Sequence, residues 1–74
     1  MSPEKLAYMA NQIGKFYAHQ PPNEAVTAVE GHLRRFWDPR MRRTIISHLG
    51  DEQVKLDPIV RIAIKHLAEA QPTA

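Results

Sequence analysis

The chain has 74 residues and no cysteine, and this absence excludes several kinds of site. Without thiols the chain cannot form disulfides, bind zinc through thiolates or ligate an iron–sulfur cluster through cysteine. Disulfides are typical of oxidising compartments. Because this chain can form none, we expect a cytoplasmic protein. The four histidines fall on different segments without the spacing of metal ligands. We therefore expect them to be solvated or hydrogen-bonded and predict no metal site.

Long apolar runs and glycine-rich loops are missing as well. The uncharged stretches are far shorter than the ~20 residues that span a bilayer, and residues 1–5 lack the apolar core of a signal peptide. No glycine-rich phosphate loop is present. Ser47 and His48 are adjacent in sequence rather than placed to face each other as nucleophile and base. The sequence therefore predicts a soluble protein that is not an enzyme by itself.

Proline, in contrast, is frequent and marks where helices begin. Good N-cap residues precede proline at Ser2-Pro3, Asp38-Pro39 and Asp57-Pro58, and Asn23 after Pro21-Pro22 supplies a fourth cap. Between these signals, apolar residues recur at the spacing typical of amphipathic helices, and no strand is indicated. The pattern predicts a small all-α single domain, residues 1–74, with helices at about 3–19, 24–37, 39–49 and 58–70. Residues 71–74 are expected to fray.

The apolar residues near the helix junctions leave two questions open. Phe36 belongs to the apolar stripe of the second helix and is expected in the core. Trp37 lies at the edge of that stripe, where it either packs under the junction or projects as an anchor for a partner. The fourth helix is apolar over more than half of its circumference and includes Val60 and Ile64. Such a helix needs contact on two sides, so it is either central in the domain or covered by a partner.

Five of the ten basic residues lie within residues 34–43. Residues 31–50 contain five arginines and one aspartate, a net charge of +4, whereas the rest of the chain has a net charge of −2. This asymmetry favours a partner with an acidic face. Arg34 and Arg35 stand in the last turn of the second helix, where cations are favourable, and Arg34 is spaced to pair with Glu30. Solvation explains these two as well as binding does.

Arg40, Arg42 and Arg43 are harder to explain, because they stand at the start of the third helix. The positive end of the helix dipole opposes each cation there by about 0.3–1 kcal/mol. Asp38 offsets only part of this cost. We therefore expect these arginines to contact an anionic surface, although Arg42 also flanks the apolar side of its helix.

Arginines interleaved with aromatic residues fit two classes of function. Nucleic-acid binding is supported by the arginine cluster and weakened by a net charge of only +2. Docking to a protein also explains the wide apolar face of the fourth helix, which a phosphate backbone would not bind. Docking accounts for more of the chain. The predicted partner-binding residues are Arg35, Phe36, Trp37, Arg40, Met41, Arg42, Arg43, Val60 and Ile64.

Three segments add a more specific signal: MSPEKLAYMANQI at residues 1–13, RFWDPRMR at 35–42 and LDPIV at 56–60. They resemble the delta subunit of cytoplasmic NAD-dependent, molybdenum-containing formate dehydrogenases, and the resemblance runs over nearly the whole chain. The charged loop at residues 51–55 departs from it. In that family the delta subunit is a small helical protein without a redox centre. It accompanies a large molybdenum or tungsten subunit, a flavin and NAD subunit and an iron–sulfur subunit.

The resemblance implies a non-catalytic accessory subunit that supports assembly or stability of formate dehydrogenase. It also implies no cofactor in this chain, with the molybdenum or tungsten cofactor, iron–sulfur clusters, FMN and NAD in partner subunits. We expect the chain to bind the large catalytic subunit through the third helix, the Phe36-Trp37 corner and part of the fourth helix. A free-standing helical module that binds nucleic acid or regulates another protein is the alternative.

Overall fold

The computed structural model describes residues 2–70, which fold into four α-helices. The helices are α1 at Pro3–Tyr17, α2 at Pro22–Phe36, α3 at Pro39–Ser47 and α4 at Pro58–Ala70. No strand occurs within residues 2–70. The predicted all-α fold is confirmed, and the predicted fraying tail lies outside the described residues.

Side-chain caps at two helix starts agree with the sequence prediction. The Ser2 hydroxyl accepts a hydrogen bond from the Lys5 N–H at 3.1 Å, and the Asp38 carboxylate accepts one from the Met41 N–H at 2.8 Å. The cap predicted at Asn23 is wrong. Here α2 begins two residues earlier, at Pro22, and Pro21 occupies the cap position without a side-chain hydrogen bond. The prolines alone set this start, because their fixed φ already suits the first helical turn.

Three helices end earlier than the sequence indicated. The last turns of α1 and α3 tighten into bonds that span three residues, from Ala18 N–H to Lys15 O and from His48 N–H to Ile45 O. These helices therefore end at Tyr17 and Ser47 instead of at residues 19 and 49. The second helix ends at Phe36 because Trp37 adopts an extended conformation, with ψ of 136°.

The fourth helix, like α1, contacts all three of the other helices. It packs against α1, α2 and α3, and this explains why so much of its circumference is apolar. The eight largest fully buried side chains come from all four helices and from the loop before α4; they are Leu6, Val29, Leu33, Ile45, Val54, Val60, Ile64 and Leu67. The other helices therefore cover most of the apolar surface of α4, which the sequence analysis assigned either to the domain core or to a partner.

Two contacts join α1 to α4 and to the loop that precedes it. Gly14 lies so close to α4 that a Cβ atom built on it would be 2.5 Å from Cγ2 of Val60. Nearby, the Asn11 side-chain amide donates to the Lys55 carbonyl at 3.0 Å and accepts from the Asp57 N–H at 3.0 Å. The glycine allows the close approach and the asparagine fixes the loop, so α1 has one defined position along α4.

Candidate partner-binding surface

The corner between α2 and α3 is fixed by Arg42. Its Nη1 donates to the Trp37 carbonyl at 2.5 Å and to the Arg34 carbonyl at 3.2 Å. Both carbonyls belong to the end of α2, where no intrahelical donor remains and the helix dipole is negative. The dipole of α3 disfavours a cation at position 42. The negative end of the α2 dipole offsets this cost.

The fold explains the positions of four of the predicted partner-binding residues without a partner. The position of Arg42 is explained within the fold, because its guanidinium satisfies carbonyls of α2. Trp37 is only 5% exposed and packs under the helix junction, which decides between its two predicted roles. Val60 and Ile64 are fully buried because α4 packs against the other three helices. Their side chains are therefore not available to a partner in this fold.

The remaining five predicted residues lie at the surface. Arg35, Arg40 and Arg43 are exposed, and none of them forms an ion pair with any residue in the described part of the chain. Met41 is half-buried. Arg34 is different, since it forms the predicted ion pair with Glu30.

Phe36 corrects another expectation, because it was placed in the core and is 70% exposed. Leu33 and Trp37 take the core positions at this end of α2. The ring of Phe36 lies beside His32, with ring centroids 4.7 Å apart. Phe36 therefore joins the surface arginines rather than the core. We call the exposed or half-buried set Arg35, Phe36, Arg40, Met41 and Arg43 the arginine corner.

A second surface was not found by sequence reasoning and runs between α1 and α2. Two adjoining depressions of about 330 and 320 Å³ share Tyr17 and His32. The first is also lined by Gln12, Ile13 and Phe16, and the second by Thr27, Ala28, Gly31, Arg35 and Phe36. The Phe16 ring is 71% exposed and meets the Tyr17 ring edge to face, with centroids 5.0 Å apart. We call this surface the aromatic groove.

Sequence reasoning misses the groove because Phe16 has the helical spacing of an apolar core residue of α1. The residues of α1 that are buried are Leu6, Ala7, Ala10 and Gly14. Three of them are small and let neighbouring helices approach closely. Because the small residues pack against the neighbouring helices, they form the buried face of α1. Phe16 lies outside that face. The small residues at positions 7, 10 and 14 were the available signal.

Other kinds of site have little support from the geometry. Within residues 2–70, no group of three His, Cys, Asp or Glu side chains is placed to bind a metal ion. His48 bonds its own helix through the Thr44 carbonyl at 2.9 Å, and His66 lies 3.8 Å from Glu30. None of the helices in this part of the chain has the length and apolarity needed to cross a membrane.

Comparison with known families gives one match. The family described as "NADH-dependant formate dehydrogenase delta subunit FdsD" matches residues 5–64. The matched segment includes most of α1, all of α2 and α3, and the first half of α4. Comparisons with curated proteins and with solved structures found no match. The family resemblance inferred from the sequence is confirmed.

Proposed function

Because the chain belongs to the family of NADH-dependent formate dehydrogenase delta subunits, we propose that it is a non-catalytic accessory subunit of such an enzyme. It docks onto the complex and supports its assembly or stability. The proposed partner is the large subunit that binds the molybdenum or tungsten cofactor. Iron–sulfur clusters, FMN and NAD belong to partner subunits in this proposal. The family match over residues 5–64 is the observation on which it mainly rests.

The arginine corner is the proposed docking surface. Its three arginines are exposed and have no ion-pair partner among residues 2–70. Arg40 also stands in the first turn of α3, where a cation costs about 0.3–1 kcal/mol, and Arg43 follows directly after that turn. Arginine and phenylalanine are both enriched at protein–protein interfaces relative to the rest of a protein surface. Acidic groups of a partner would remove the cost and complement the charge, which supports docking at this corner.

Nucleic-acid binding has less support than it had from the sequence. Two of the five clustered arginines have partners inside the chain, Arg34 with Glu30 and Arg42 with carbonyls of α2. Few cations then remain to neutralise phosphates. Steep weakening of any nucleic-acid complex with salt, together with no binding to dehydrogenase subunits, would favour this alternative.

The purified chain is expected to be colourless and unable to reduce NAD with formate. It has no cysteine to ligate a cluster, and its described residues include no three-residue metal-binding group. Metal analysis, an absorption spectrum and a formate-dependent NAD reduction assay on a desalted sample test this directly. Stoichiometric metal or flavin, or turnover of formate, would contradict the accessory role.

Docking is tested by reversing charge at the corner with the double substitution Arg40→Glu and Arg43→Glu. We expect binding to a formate dehydrogenase prepared without its delta subunit to weaken by about tenfold or more, because attraction becomes repulsion. Stability of the free chain should stay the same or rise slightly, since acidic residues suit the start of a helix. Affinity capture by the tagged large subunit and thermal unfolding followed by circular dichroism give the two readouts.

The matched control changes Lys55 and Lys65 to glutamate. Both lysines are exposed and outside the corner, and the change in net charge is the same. Equal loss of binding in both double variants would show that total charge matters and the corner does not. A corner variant that unfolds early yet still binds would assign these arginines to the fold.

A further inference from the structure

We propose that the aromatic groove binds an acidic segment of the partner protein that presents an aromatic or branched aliphatic side chain. The inference deepens the proposed docking function and rests on it. It adds a binding site on α1 and α2 to the arginine corner, which lies at the end of α2 and on α3. Arg35 and Phe36 belong to both surfaces, so one partner can contact the two together.

The apolar character of the groove indicates an apolar anchor. Three of the four large apolar side chains most exposed within residues 2–70 are Tyr8, Phe16 and Phe36. Phe16 lines the first depression and Phe36 lines the second, whereas Tyr8 lines neither. Exposed aromatic side chains beside depressions are typical of an interaction site in a small domain. Aromatic walls accept another ring edge to face, or a branched aliphatic group.

The charge of the groove indicates acidic flanks on that segment. No acidic residue lines either depression, and Arg35 is the one lining residue with a formal charge at neutral pH. Its guanidinium has no ion-pair partner among residues 2–70. Arg40, on α3, lines a separate depression together with Leu6, Asp38, Met41 and Thr44. A carboxylate beside the bound side chain would meet Arg35.

A protein segment fits this surface better than a polyanion. Binding to nucleic acid depends mainly on many phosphate contacts, and the groove is lined by a single arginine. Apolar and aromatic side chains line most of the first depression. Such a lining is suited to a buried side chain, with the arginine giving orientation and rate of association.

The first test replaces the two most exposed rings, in the double variant Phe16→Ser and Phe36→Ser. Its affinity for formate dehydrogenase prepared without the delta subunit is expected to fall by about tenfold or more, because both anchor walls are lost. The control is Ile62→Ser, which removes an exposed apolar side chain of α4 outside the groove. We expect that control to bind within about twofold of the unchanged chain.

The second test identifies the occupant directly. A photoreactive benzoyl-phenylalanine placed at position 16 in the full chain is irradiated in the complex, and the attached peptide is sequenced by mass spectrometry. We expect a dehydrogenase segment with two or more carboxylates around an aromatic or branched aliphatic residue. Attachment to a basic segment, to nucleic acid or to a second copy of this chain would overturn the inference.

The two proposals fail in different ways. If the unchanged chain does not bind the dehydrogenase, the proposed function is wrong. If the chain binds, but the serine double variant binds as well as the unchanged chain, the groove and the part of Phe36 in the arginine corner are wrong, while the accessory role stands. Circular dichroism must show that the double variant is folded, and Arg35→Glu provides a second variant with little risk to the fold. That variant should weaken binding by about fivefold or more, against no change for Lys65→Glu.

Discussion

Replacing Gly14 with alanine is expected to lower the free energy of unfolding by about 2 kcal/mol, although alanine normally favours a helix. The added methyl group would lie 2.5 Å from Cγ2 of Val60, a distance that real Cβ atoms essentially never show. Val60 is fully buried and stiff, so it cannot move aside cheaply. Overpacking of this kind costs about 1–3 kcal/mol. The higher helix propensity of alanine stabilises the chain by at most about 1 kcal/mol.

Thermal unfolding measures this effect well, because in a domain of this size 2 kcal/mol corresponds to a melting temperature about 8–16 °C lower. Gly31→Ala is the matched control: no atom lies within 4 Å of a Cβ added there, so it should stabilise by up to about 1 kcal/mol. Val60→Ala should rescue Gly14→Ala in part, since the nearest remaining atom is then Cβ of residue 60 at 4.0 Å. Equal changes in melting temperature for Gly14→Ala and Gly31→Ala would contradict the close approach of α1 and α4.

The second large effect is expected from Arg42→Ala, which should destabilise the chain by about 2–3 kcal/mol. The substitution removes a charged donor from two carbonyls at the end of α2 and leaves them without a protein partner. Hydrogen bonds to charged groups contribute about 1.5–3 kcal/mol each, and the two here share one nitrogen. The stability of Arg42→Lys should lie between that of the unchanged chain and that of Arg42→Ala, because one ammonium group cannot match the planar geometry of the guanidinium.

Arg43→Ala is the control for Arg42→Ala, because Arg43 is the next residue in the same helix and is exposed. It forms no ion pair with the described residues, so its loss should change stability by no more than about 0.5 kcal/mol. Denaturant titration of the three variants gives the comparison. If Arg42→Ala and Arg43→Ala unfold at the same denaturant concentration, the contact with α2 has no energetic importance.

Helix starts could be predicted because they depend on local chemistry. Asp38 and Pro39 mark the beginning of α3 in any fold, since one caps the free N–H groups and the other needs none. The ion pair of Arg34 with Glu30 follows from helical spacing in the same way. These features need no knowledge of what lies opposite the helix.

The surfaces could be predicted only in part, because exposure depends on how the helices pack. Phe16 and Phe36 have the spacing of core residues and are nevertheless exposed, since small residues and Trp37 fill the space beside them. Arg42 was identified as a residue placed against the field of its helix. The compensating carbonyls come from another helix, and a sequence pattern does not show which helix that is.

The hydrogen bonds of Arg42 also affect how much entropy a partner must remove on binding. Only Trp37 and Asp38 separate α2 from α3, and Arg42 ties the end of one helix to the start of the next. The backbones that bear Arg35, Phe36, Arg40 and Arg43 therefore form one preorganised frame. A partner has to order only their side chains, at about 0.5–1.5 kcal/mol each, and not a flexible hinge between two helices.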